Sequence, residues 1–131
     1  MKKKLVQVLS VTLLLALISC GIYTGSILSY KKKVNALTFS SICASQVADG
    51  IYEGGCETGV VNALVRVTIE NHQMSVITLL RHDNGRGLPA QQILREMLQR
   101  QSTDVELVSG ATYSSKVIRK AVENALSPGL Q

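Results

Sequence analysis

The densest run of chemistry-bearing residues in the sequence is Ser109-Gly110-Ala111-Thr112-Tyr113-Ser114-Ser115-Lys116, a turn of small and hydroxylated residues leading into a stretch of helical periodicity. Such a turn gathers the N–H groups of a helix start, the positive end of its dipole and the hydroxyls of Ser109, Thr112, Ser114 and Ser115 around one point. That is the chemistry of an anion site. Gly110 and Ala111 leave room there for a bulky group, and Lys116 adds a cation. The same residues also fit a plainer arrangement, in which Ser114 or Ser115 caps the helix and the rest is a tight connection. Two further sets are candidates: His82, in a loop where a histidine is more often solvated or structural than functional, and Glu53, Glu57 and Thr58, which follow a strand near two glycines.

Other chemistries lack their residues. Cys20, Cys43 and Cys56 have no CxxC spacing and His72 and His82 do not fall at the spacing of a zinc site, so no metal site is expected. A Cys43 to Cys56 disulfide is open in an oxidising compartment, but nothing in the sequence favours it. No Gly-x-Gly-x-x-Gly string is present for a nicotinamide cofactor. No residue is assigned a catalytic role.

The elements that must position the serine-rich turn can be read from periodicity. Gly50 to Cys56 reads as a short strand ending at a Gly54-Gly55 turn. Val60 to Glu70 places Val61, Ala63, Val65, Val67 and Ile69 on one face, and Gln73 to Arg81 follows a turn at Asn71-His72 as the second arm of an antiparallel hairpin, with Met74, Val76 and Leu80 opposite Ile77 and Leu79. His82 to Gly87 is a loop by composition, with Arg86 solvated. Pro89 then opens a helix carrying Ile93, Leu94, Met97 and Leu98 at helical spacing. Ser102 to Val108 is a strand or extended segment. After the serine-rich turn, Val117, Ile118, Ala121, Val122 and Ala125 form the buried stripe of a final helix. Strands grouped before helices predict an α+β domain: a small antiparallel sheet with helices packed on one side.

The 131 residues leave room for one small domain, the more so because the first 33 read as something else. From Leu5 to Tyr30 the chain is almost free of charge and is flanked by Lys2 to Lys4 and Lys31 to Lys33. It is long enough for a bilayer, which needs about 20 apolar residues. Those six lysines also account for the basicity. The formal charge is +5, yet the remaining chain holds eight basic and nine acidic residues, a formal −1. The positive charge therefore belongs to the ends of the apolar segment, and with 4% aromatic residues and no Trp the composition disfavours nucleic acid.

A lipoprotein signal competes with the anchor, because Leu17-Ile18-Ser19-Cys20 resembles a lipobox with Cys20 as the lipidated residue. Ile22, Tyr23, Ile27 and Leu28 continue the apolar pattern past Cys20, and the second lysine triplet closes a span, which favours the uncleaved helix. The predicted organisation is an anchor or signal over 1–33, a linker over 34–44 and a domain over 45–131. Equal lysine counts on both sides give almost no orientation. What bias there is comes from the α-amino group and places the domain outside the cell membrane.

Three strings in order carry a resemblance. Asp49-Gly50-Ile51-Tyr52-Glu53-Gly54, His82-Asp83-Asn84-Gly85 followed by Gly87, and Glu106-Leu107-Val108-Ser109-Gly110-Ala111-Thr112 resemble the FMN-binding domain family, and Val117 to Leu126 resembles its closing helix. The resemblance covers about 49 to 126. It extends to the flavin-carrying subunits of sodium-pumping NADH:quinone reductases and ferredoxin-linked complexes. It implies FMN as cofactor, held by Ser109, Gly110, Ala111, Thr112, Ser114, Ser115, Lys116, His82 and Glu106. It further implies a phosphoester from Thr112 to FMN made by a separate flavin transferase using FAD and magnesium. At Glu106 the family usually has Asp, one methylene shorter. The function so implied is electron transfer at a membrane between donor and acceptor proteins or quinone, with the chain as a carrier more than a self-sufficient enzyme. A non-covalent flavin-binding or flavin-sensing module is the alternative.

Overall fold

Asn71 and His72 both hold positive φ, 53° and 58°. That pair of left-handed residues makes the two-residue turn whose twist suits a β-hairpin. Both of their N–H groups donate to the Asp49 carboxylate at 2.8 Å, which holds the Asp49 pKa below the usual carboxylate range. In the computed structural model, which describes residues 1–83 and 87–131, this hairpin is the centre of a three-stranded antiparallel sheet. Its strands are β1 (Gly50–Glu57), β2 (Asn62–Glu70) and β3 (Gln73–Asp83), in the order β1-β2-β3. Asn84, Gly85 and Arg86 of the expected loop lie outside the described residues.

Three helices follow the expected pattern in part. α1 (Lys2–Asn35) precedes the sheet, and α2 (Gly87–Arg100) and α3 (Thr112–Leu126) come after it. Pro89 occupies the first turn of α2, where its missing N–H costs nothing. α3 lies across β1 and β2, and α2 packs beside α3 and on β3, so both cover one face. Beneath them the core is Val65, Val67 and Ile69 from β2, Ile93 and Met97 from α2, and Val117, Ile118, Val122 and Leu126 from α3. The fold is α+β with an apolar N-terminal helix.

Two details of the sheet differ from the sequence reading. Gly54 and Gly55 lie inside β1, paired with Val65 and Leu64, and the turn comes later, after Glu57. A Cβ on Gly54 would sit 2.2 Å from the Ala125 nitrogen, so this glycine marks a close approach of sheet and helix, not a bend. β3 carries an extra residue at two places where its register with β2 shifts, Ser75 and Leu80. Each bulge reverses the alternation. Met74, Ile77, Leu79 and His82 therefore pair with the inward Ile69, Val67, Val65 and Ala63, while Val76 and Leu80 face outward, half or more exposed in the case of Val76. Met74 thus parts from Val76 and Leu80, with which simple alternation groups it.

Residues 102–108 form no strand beyond one bridge from Ser102 to Cys43. The buried Thr103 hydroxyl instead accepts the Ile42 N–H and donates to the Ser40 carbonyl, both at 3.0 Å. The segment 34–44 packs onto the sheet-and-helix unit: Val34, Ile42 and Ala44 are buried. Charged groups of α3 hold it from above. Lys120 donates to the Thr38 carbonyl at 2.8 Å, and the Arg119 guanidinium lies 5.0 Å over the Phe39 ring. Both cations also flank Glu123, 2% exposed, at 3.2 and 3.3 Å.

α1 is continuous through Cys20, and Lys3–Asn35 is long and apolar enough to cross a membrane, with a mean hydropathy of 2.4 in its most apolar window. The three cysteines are free.

Candidate functional site

The start of α3 organises the site. Its N-cap is Ala111 (φ −130°, ψ 30°), which offers no side-chain hydrogen bond. The alternative in which Ser114 or Ser115 caps the helix is therefore set aside: both lie inside the first turn and are buried. Ser115 ties that turn to the preceding segment, its hydroxyl donating to the Ala111 carbonyl at 2.9 Å and accepting the Val108 N–H at 3.3 Å. Thr112, the first helical residue, is exposed, as are Ser109 and Gly110. Gly110 has φ +78°, and among the described residues nothing lies within 4 Å of where a Cβ would be. A side chain there would be strained by the backbone and would crowd the space beside Thr112. No acidic residue occupies the first turn to oppose an anion.

Beside Thr112 lies a cleft of about 300 Å³, at the small end of ligand-binding clefts. Gly110 to Ser114 form one wall, and Val60 and Val61 form another. The Asn62 side chain stiffens that second wall by accepting the Thr58 and Gly59 N–H groups at 3.1 and 3.3 Å, and the buried Thr58 hydroxyl donates to the Val61 carbonyl. The third wall belongs to α1: Tyr23, Ile27, Tyr30 and Lys31. Tyr30 meets Tyr113 with ring centroids 5.7 Å apart, tilted by 49°.

The remaining predicted residues are distributed as follows. Lys116 follows Thr112 by one turn, but its Nζ donates to Asn35 Oδ1 at 3.2 Å, at the end of α1. Glu106 is exposed and makes no ion pair among the described residues, whereas Asp104 is engaged with Arg119 at 3.3 Å. Glu53 and Glu57 point to the open face of the sheet, paired with Arg66 at 2.6 Å and Arg81 at 3.5 Å, away from the cleft. Thr58 serves the turn. His82 is turned inward by the bulge at Leu80, at the same end of the sheet as Val61, though it is not among the residues lining the cleft. Among the described residues its Nε2 is buried without a hydrogen-bond partner, and burial lowers its pKa, with Asp83 acting in the opposite sense. Among the described residues, no three His, Cys, Asp or Glu side chains gather to hold a metal ion.

The α1 wall was not anticipated from sequence. A signal was present: positions 23, 27, 30 and 31 share one helix face, and two of them are tyrosines in an otherwise aliphatic stretch.

A planar, anionic ligand fits this arrangement. An exposed hydroxyl stands at an uncapped helix N-terminus, with a glycine-cleared space and an aromatic and aliphatic cleft next to it. Among known proteins, residues 59–127, just over half of the chain, match the family described as the FMN-binding domain. The match takes in His82 and the whole serine-rich turn and begins after the Asp49 to Gly54 string. An uncharacterized protein of Treponema pallidum (strain Nichols) is 31% identical over 85 residues, which cover 63% of this chain and 24% of that protein. The chain thus spans about a quarter of the length of that relative.

Proposed function

Because this chain belongs to the FMN-binding domain family and FMN is its cofactor, we propose that it is a membrane-tethered electron carrier with FMN attached through a phosphoester to Thr112. The observation that carries the reading is the exposed Thr112 at the uncapped start of α3, beside a cleft. In the attachment step the Thr112 hydroxyl loses its proton and its Oγ1 bonds to phosphorus, while AMP leaves from the FAD supplied to a flavin transferase. The resulting diester keeps one negative charge, which the first-turn N–H groups and the helix dipole stabilise. Ser115 holds the turn in shape, and Gly110 keeps it open.

When bound, FMN supplies the one- and two-electron chemistry itself, and the chain holds it and sets its surroundings. Ser109, Gly110, Ala111, Ser114 and Lys116 surround the attachment point along the chain, with Glu106 as the carboxylate three residues before Ser109. Since the sequence has no dinucleotide-binding string, electrons come from and go to other proteins or quinone. With α1 in the cell membrane, the domain stands on the outer side.

One observation favours a second reading, non-covalent FMN binding or sensing without turnover: Glu106 stands where the family usually has Asp. Both are tested by producing the full chain with a flavin transferase, denaturing it, and recording intact mass and in-gel fluorescence. The covalent reading expects an FMN adduct that Thr112→Ala abolishes. An adduct that persists in Thr112→Ala refutes the assignment to Thr112, and flavin released on denaturation establishes the non-covalent binder.

A further inference from the structure

We infer that the anchor helix is part of the flavin site: the ring of an FMN held at Thr112 lies against the Tyr23, Ile27 and Tyr30 face of α1, where the helix leaves the bilayer, with Lys31 as the cation at the cleft. This rests on the function proposed above and adds residues that lie outside the matched family region.

The geometry of α1 points to it. At about 100° per residue, positions 23, 27, 30, 31 and 34 fall within roughly a 100° arc, one face of the helix. Along that face exposure rises away from the domain, from 0% at Val34 to 8% at Tyr30 and 70% at Tyr23. The helix is therefore seated on the domain by its last turns and diverges from it below. The wedge so formed is the cleft, and Thr112 is in its wall.

The chemistry of the wedge suits a flat, partly apolar ring. Tyr23 and Tyr30 are two turns apart, about 10 Å along the axis, with Ile27 between them. Val60 and Val61 face them from the β1–β2 turn. Lys116 is committed to Asn35, whereas Lys31 lines the cleft, so Lys31 takes the charge-balancing role that proximity in sequence assigns to Lys116.

Depth follows from length. A hydrocarbon core of about 30 Å takes about 20 residues, which from Leu5 reaches Thr24. Tyr23 then sits at the outer interface, where tyrosine is at home. The ring is placed at headgroup level, one side toward the helix and lipid. Lipidation at Cys20 with cleavage before it would leave this face intact, since Tyr23 to Val34 all follow Cys20.

The test uses the full chain loaded with flavin in phosphatidylcholine vesicles, comparing Tyr23→Ala with Ile22→Ala, which removes a side chain from outside the cleft face. Bound-flavin fluorescence is read alone, with iodide in the water, and with a lipid bearing a nitroxide near its headgroup. Tyrosine in contact with the ring quenches it. Because Tyr30 still quenches the ring, Tyr23→Ala is expected to raise the fluorescence in part and its quenching by iodide several-fold, with Ile22→Ala unchanged and the nitroxide lipid quenching the wild type strongly. Retained flavin whose emission and iodide access are the same in both variants and the wild type would overturn the α1 wall while leaving the attachment at Thr112 standing. A wild-type chain without flavin would overturn both.

Discussion

Replacing Gly54 by alanine tests whether the helix that carries Thr112 is held by its close contact with the sheet at this glycine. The added methyl would lie 2.2 Å from the Ala125 nitrogen, 2.5 Å from its Cα and 2.6 Å from the Ala121 carbonyl oxygen. Favourable carbon contacts begin near 3.5 Å, so α3 and β1 must separate by about 1 Å. All three clashing atoms are backbone, and no rotamer relieves them. Val117, Ile118, Ala121, Val122, Ala125 and Leu126 are fully buried along α3, so the lift loosens the whole interface. Overpacking costs about 1–3 kcal/mol, and a clash with a helix backbone belongs at the upper end, near 3 kcal/mol, less the small gain from a stiffer unfolded chain. In a domain of this size that lowers Tm by about 12–24 °C.

Gly55 is the internal control. A methyl there meets the Ala63 carbonyl oxygen at 3.4 Å and Leu64 Cδ1 at 3.5 Å, ordinary contacts on the open face. Gly55→Ala should change stability by less than about 1 kcal/mol. Thermal unfolding of the full chain in detergent, followed by far-UV circular dichroism against the constant background of α1, separates the two. Melting temperatures within about 4 °C of each other would refute the reasoning.

Two further outcomes follow from the site. His82 is buried enough to have its pKa lowered, so its neutral form belongs to the fold: stability is complete above the unfolded value near 6.5 and drains as pH falls through the lower folded value. The urea midpoint of the wild type should therefore fall more than that of His82→Gln between about pH 7 and about pH 5, and parallel profiles would count against it. Glu106→Asp restores the shorter carboxylate usual in the family and should raise the yield of denaturation-resistant flavin with the same transferase. An equal yield would show that the extra methylene is tolerated.

Much of the domain was legible because local signals and tertiary structure agree. The Asn71-His72 turn, the apolar stripes of α2 and α3 and the inward row of β2 all follow their own periodicities. Legibility failed where a residue answers to a distant partner. A Gly-Gly pair usually marks a turn, but Gly54 is small because α3 presses on it. Bulges at Ser75 and Leu80 leave no mark in composition, and they decide where Met74 and His82 point. At the site, the hydroxyl-rich turn was visible as a string, yet only the fold separates the exposed Thr112 from the buried Ser114 and Ser115. The tyrosines of α1 were concealed by the apolar segment around them.

The clamp formed by Arg119, Lys120 and Glu123 over residues 38 and 39 has a consequence for traffic. A domain on a loose leash samples a hemisphere and can stoop to a partner or stretch to one. Here the chain leaving α1 is stapled down within a few residues, so the domain stands like a bracket on a post. With α1 in a bilayer, as we propose, its remaining freedoms are sliding in the plane and spinning about the post. A partner that is itself held in the bilayer would then meet the domain from the side at one fixed height, and that search would be two-dimensional.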